Sequence, residues 1–125
     1  MTEEGAPALE LRGVQVSLRT SRGVVDAVSD VSLTLASSTI TALVGSSGSG
    51  KSMLARFACG ALPRSARFDG AMLIDGVAVP TRGRLARSFR GRSIALAAQD
   101  ATASLNPVRS VRAHLIEAVR AHHPR

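Results

Sequence analysis

The chain has 125 residues, 45% of them hydrophobic, which is enough for one modest domain with a real core. Tryptophan and tyrosine are absent and only three phenylalanines occur, so that core must be aliphatic. The net charge of +7 raises nucleic acid and membrane headgroups as partners, but the arginines are scattered. Their one denser run, Arg82, Arg84, Arg87, Arg90 and Arg92, reads as a solvated helix face and not as a nucleic-acid site. The single cysteine excludes an internal disulfide. The acidic start (Glu3, Glu4) is unlike a signal peptide, and no apolar run approaches membrane-spanning length, so the expected location is cytoplasmic.

In chain order, apolar Leu9, Leu11, Val14, Val16 and Leu18 alternate with polar residues, which predicts a half-buried strand broken at Gly13. Thr20-Ser21-Arg22-Gly23 is a turn, and the residues from Val24 to Leu35 supply one or two further strands of an antiparallel β-lobe. Ser37-Ser38 turns the chain into residues 39–44 (Thr-Ile-Thr-Ala-Leu-Val), whose β-branched, apolar character predicts a buried strand. Residues 51–59 form a helix with Met53, Leu54, Phe57 and Ala58 on its inner face and Cys59 as a small buried hydrophobe.

Ala61-Leu62-Pro63-Arg64 ends that helix, and residues 68–79 are β, folded into a hairpin at Asp75-Gly76. Residues 81–89 predict a short basic helix. Residues 93–98 predict a small apolar strand that ends in Gln99-Asp100, followed by an irregular loop over 101–107. Val111, Leu115, Ile116 and Val119 recur at helical spacing. His114, His122 and His123 share that helix or its end, with no cysteine or carboxylate cluster to make them metal ligands.

Between the expected strand at 39–44 and the expected helix at 51–59 stands Gly45-Ser46-Ser47-Gly48-Ser49-Gly50-Lys51-Ser52, which fits G-x-x-x-x-G-K-[ST]. Strand, glycine-rich loop and helix form the context a phosphate-binding loop requires. Gly45, Gly48 and Gly50 permit backbone conformations that turn successive N–H groups inward, and the helix that starts there adds its positive dipole end. Lys51, the only lysine of the chain, supplies a point charge for β- and γ-phosphates, and the Ser52 hydroxyl can ligate Mg²⁺. A flexible Gly/Ser linker has no reason to follow an apolar strand or to end in Lys-Ser. Ala71-Met72-Leu73-Ile74-Asp75 superficially matches the strand that positions Mg²⁺ in such ATPases. Gly76, however, stands where a glutamate is expected, so the hairpin reading is taken.

Three stretches together, Ala27-Val28-Ser29-Asp30-Val31-Ser32-Leu33, Val44 through Ser52, and Gln99-Asp100 with Ser104-Leu105-Asn106-Pro107, resemble the ATP-binding subunits of ABC transporters. The likeness is to the dipeptide/oligopeptide/nickel importer branch and covers the N-terminal half of that family's domain. It implies an α/β P-loop fold with an antiparallel β-lobe, and ATP with Mg²⁺ as cofactors. It makes Gln99 the glutamine that reaches Mg²⁺ and the attacking water and senses the transmembrane partner. It further implies permease subunits and a second ATP-binding subunit as partners, attachment to the inner face of the membrane through the permease, and uptake of peptides or a similar small solute driven by ATP hydrolysis. The family's adenine-stacking aromatic has no counterpart, since no aromatic precedes Phe57; the guanidinium of Arg22 is the candidate replacement. No glycine follows Gly91, so the family's Leu-Ser-Gly-Gly signature is not in these residues; its Walker B aspartate, catalytic glutamate and switch histidine fall beyond Arg125. Residues 1–125 are therefore expected to be a partial domain, fragment or remnant, without ATPase turnover alone. The rival readings are a nucleotide-binding module without turnover and a basic nucleic-acid-binding protein with an incidental loop match.

Overall fold

The computed structural model describes residues 6–81, 88–100 and 104–122. Strands β1 (Leu9–Thr20), β2 (Gly23–Leu35), β3 (Ala66–Ile74) and β4 (Val77–Ala78) form one antiparallel sheet in the order β2-β1-β3-β4. Helix α1 (Lys51–Ala58) lies between β2 and β3 in the chain, and α2 (Val111–His122) ends the described residues. No helix among the described residues is long and apolar enough to cross a membrane.

The break expected at Gly13 is a β-bulge. Leu9 and Leu11 point into the core, and strict alternation would send Val14 and Val16 outward. One extra residue shifts the phase, with Gly13 at φ 57° and its N–H donating to Ser32 Oγ at 3.0 Å. All four apolar residues are consequently buried, Val14 completely. Opposite the bulge, Gly70 has φ 111°, and a side chain there would meet Val14 Cα at 2.8 Å and Gly13 O at 2.9 Å. A compensating irregularity at Asp30 (φ 50°) lets Val28, Val31, Leu33 and Leu35 of the partner strand stay in step, with Val16 opposite Val28 and Val14 opposite Val31. The segment read as one or two strands is thus a single bulged strand.

The hairpin at Asp75-Gly76 forms as expected. Both residues have positive φ (50° and 76°), as a tight antiparallel connection demands, and Ile74 pairs with Val77. Helix α1 covers one face of the sheet, burying Leu54, Phe57 and Ala58 against Leu11, Val16 and Met72. Phe57 meets Phe68 edge to face, with ring centroids 5.6 Å apart. Phe89, the aromatic within the arginine run, packs against this core. Cys59 is only half-buried, since it is the C-cap of α1 at the rim of the core; burial still pushes its thiol pKa up, which keeps it protonated and a poor nucleophile.

Two expected strands are not formed. Residues 39–44 carry no regular structure and are exposed, Ile40 fully so, and residues 93–98 make only one bridge, between Arg90 and Ile94. The physical reason is shared: a strand exists through its ladder, and among the described residues neither segment is paired with a strand. Of the expected basic helix at 81–89, Ser88 and Phe89 are helical and residues 82–87 lie outside the described residues. The C-terminal helix forms, but Val111, Leu115 and Val119 on its apolar side are exposed. His123 lies outside the described residues.

Leu11, with 2% of its surface exposed, is central to the sheet–helix contact. Leu11→Ala is expected to destabilise the chain by about 2–5 kcal/mol, read as a lowered midpoint in urea unfolding.

Candidate functional site

The site is built from the N-terminus of α1 and the loop before it. Gly50 is the N-cap residue, at φ 86° in the left-handed region, with no side chain to cap the helix. Its conformation is forced by its surroundings. A Cβ at this position would lie 2.2 Å from the Ala27 carbonyl oxygen and 3.3 Å from Val28, so the loop rests directly on the β2 backbone. Gly48 also has positive φ (80°), and the Ser49 N–H donates to the Ser46 carbonyl at 3.3 Å, closing the loop on itself.

This geometry leaves a set of unspent donors. The backbone N–H groups of Ser47, Gly48, Gly50, Lys51, Ser52 and Met53 make no hydrogen bond among the described residues; the first helical amide to find a partner is that of Leu54, which donates to Gly50 O at 2.9 Å. No acidic residue occupies the first turn to compete for them. Lys51 folds back over the loop, donating from Nζ to Gly45 O at 2.8 Å, Ser46 O at 2.6 Å and Ser49 Oγ at 3.1 Å. A run of free amides with an ammonium held on the same loop suits a polyanion. A methyl group on Gly45 would sit 2.8 Å from Ser49 Oγ, so that hydroxyl would have to turn aside, and 3.7 Å from Lys51 Nζ, an ordinary contact.

The Ser52 side chain is exposed, and its hydroxyl makes no hydrogen bond among the described residues. Gly45, Ser46, Ser47, Gly48, Ser49, Gly50, Lys51 and Ser52 are thus held together, whereas Gln99 is exposed in the segment after Ile94 and makes no hydrogen bond to them. The Ser-Leu-Asn-Pro stretch that follows is anchored by His114. Its Nε2 accepts from the Asn106 N–H at 3.0 Å and its Nδ1–H donates to Ser110 O at 3.0 Å, so this histidine is a structural strut and not a free surface side chain. Arg109, just before α2, pairs with Glu117 in the second turn of the helix. No group of histidine, cysteine and carboxylate side chains able to hold a metal exists among the described residues. Arg22 sits exposed at the β1–β2 turn, its N–H donating to Thr20 Oγ1.

The model of the ABC transporter family matches residues 28–123, a span that begins beside the Ala27–Gly50 contact and takes in the loop, α1 and the anchored Ser-Leu-Asn-Pro stretch. The chain belongs to the ABC transporter family. Among its relatives is an oligopeptide transport ATP-binding protein, OppD, of Mycobacterium tuberculosis, 36% identical over 96% of this chain but only 20% of its own length. A peptide import ATP-binding protein of Brucella abortus is 39% identical over 94% of this chain and 36% of its own length. A nickel import ATP-binding protein, NikD, of Pseudomonas putida is 39% identical over 90% and 41%. The chain therefore spans well under half the length of the relatives it matches. The four-stranded antiparallel sheet with α1 against it is consistent with the N-terminal lobe of an ABC nucleotide-binding domain.

Sequence reasoning located the loop but missed what seats it. The Ala27 carbonyl under Gly50 and the His114 strut both depend on chain segments returning from elsewhere. Gly50→Ala forces a side chain into a left-handed backbone, about 1–2 kcal/mol by itself, and into Ala27. It is expected to lower the unfolding free energy by at least that amount, read as a lowered urea midpoint, whereas Gly48→Ala, with nothing within 4 Å of its Cβ position, carries the backbone term only.

Proposed function

We infer that residues 45–52 hold the phosphates of ATP with Mg²⁺, and that the chain is part of the ATP-binding subunit of an ABC importer. The observation that carries this reading is the run of unspent amides at the uncapped start of α1, with the ammonium of Lys51 folded onto the same loop. The free amides of Ser47, Gly48, Gly50 and Lys51 would hold phosphate oxygens, and the Lys51 ammonium would leave the carbonyls of Gly45 and Ser46 for them. Ser52 would offer its exposed hydroxyl to Mg²⁺, and Gln99 would be the second protein group to reach it. The metal, when bound, spreads the charge of the phosphate tail. The family membership and the relatives' names support the wider assignment: a partial nucleotide-binding domain over 1–125 that works with permease subunits and a second ATP-binding subunit. In that setting it lies on the inner membrane face and serves uptake of peptides or a similar small solute. Nucleic acid has no part in this reading.

Lys51→Ala removes a charge-assisted contact, about 1.5–3 kcal/mol, and is expected to weaken ATP·Mg²⁺ binding tenfold or more in calorimetry; unchanged affinity would refute the phosphate assignment. Turnover is a separate matter. Among the described residues no general base stands at the loop: Asp75 belongs to the β3–β4 turn, with its N–H bonded to Ala8 O. Absence of a base removes a factor of about a hundred to ten thousand. Phosphate release by the purified 125-residue chain is expected to be indistinguishable from that of Lys51→Ala; lysine-dependent turnover near one per second would show that a base is present.

A further inference from the structure

His114 joins two segments through the placing of one proton. Its Nε2 accepts the Asn106 N–H and its Nδ1 lies 3.0 Å from the Ser110 carbonyl, so Nε2 carries the lone pair and Nδ1 the hydrogen. Ser110 stands at the start of α2, where its carbonyl also takes the Ala113 and His114 amides and its hydroxyl takes that of Ala113. Asn106 belongs to the Ser104–Pro107 stretch, folded by the Val108 N–H on Asn106 Oδ1 and the Arg109 N–H on Asn106 O. At the other end of that stretch, Ser104 Oγ donates to Asp100 O at 2.7 Å. The half-buried ring thus ties the residues after Gln99 to the helix.

We propose that His114 is a proton-operated latch: neutral, it holds the Ser104–Pro107 stretch on α2, and protonated, it releases that stretch while staying on the helix. The imidazolium has a hydrogen on each ring nitrogen. The one on Nε2 would face the Asn106 N–H, donor against donor, and that bond is lost, while Nδ1–H keeps Ser110. Asn106 is exposed, so its amide turns to water and no core contact is broken. The helix favours the same neutral state, since His114 lies in the first turn of α2, at the positive end of its dipole. The charged residues on the joined segments are Asp100 and Arg109 before the helix, and Arg112, Glu117 and Arg120 on it, with His122 at its end. Glu117, three residues on, is the carboxylate on the His114 side of the helix, and it is paired with Arg109. Among the described residues α2 makes no extensive contact with the sheet or with α1. The acceptor bond belongs to the neutral ring alone, so the latch is closed above the histidine titration and opens as pH falls through it. A looser hold on Gln99 follows; this last step rests on the nucleotide reading, whereas the latch itself does not.

The test is an NMR titration of the 125-residue chain from about pH 8 to about pH 5.5, following the ring nitrogens of His114 and the backbone amide of Asn106. The ring is expected as the Nδ1–H tautomer at high pH, and the Asn106 amide should titrate with the same midpoint as the ring. His114→Gln keeps an acceptor and a donor without a titrating group, so its Asn106 amide should show no step in this range. At the acid end the unsubstituted chain should exchange that amide with water about threefold faster, or more, than His114→Gln. His114→Ala should show the released amide throughout. An Nε2–H ring at high pH, an Asn106 amide indifferent to the ring's titration, or the same step in His114→Gln would each overturn the latch. Calorimetry separates the two readings: at the acid end ATP·Mg²⁺ affinity should be about twofold weaker, or more, than in His114→Gln. A latch that titrates without that loss would stand, and the role given to Gln99 would fall.

Discussion

The approach of Gly50 to the Ala27 carbonyl is the constraint on which the rest of the site depends. It is a contact between two backbones, which no side chain can occupy and no rotamer change can relieve. Because Gly50 is also the N-cap of α1, one contact sets two things at once. On one side it seats the apolar face of the helix on the sheet, where Leu54 and Phe57 are buried. On the other it starts the helix on a residue with no side chain, which leaves the first-turn amides without partners. The core and the cradle are therefore two outcomes of the same placement.

Electrostatics refine this arrangement without creating it. The chain's only lysine stands at the mouth of the cradle, and the first helical turn carries no carboxylate. The helix dipole and the ammonium act together there, and nothing on the first turn opposes them. The other resolved pair, Glu10 with Arg12, lies on the exposed face of β1. The Arg12 guanidinium, donating to both carboxylate oxygens at 2.8 Å, holds the Glu10 carboxyl below its usual range. It is a surface pair, made within β1, and makes no contact with the loop.

What the sequence discloses is what local rules decide. The Asp75-Gly76 hairpin, the Gly13 bulge and the inner face of α1 all follow from residue preference and spacing within a few positions, and all three are present. The phosphate loop is legible for the same reason, since its glycines and lysine act on their own backbone. The strands expected at 39–44 and 93–98 fail because pairing is not a property of the strand itself: apolar, β-branched residues state a demand that only a neighbour can meet. The role of His114 was equally hidden, because the amide it accepts from lies eight residues back.

The paired bulges at Gly13 and Asp30 carry a consequence for how this lobe can change over time. Each takes up the one residue by which the apolar spacing of its own strand departs from strict alternation, Leu11 to Val14 in β1 and Val28 to Val31 in β2. Loss of the extra residue at Gly13 would leave Leu11 and Val14 two apart, on one face by simple alternation, with Val16 following them inward. An added residue without a bulge to absorb it would instead turn the remainder of the strand over and present its apolar side chains to water. The bulges are thus what lets this ribbon carry odd spacings and still keep one buried face.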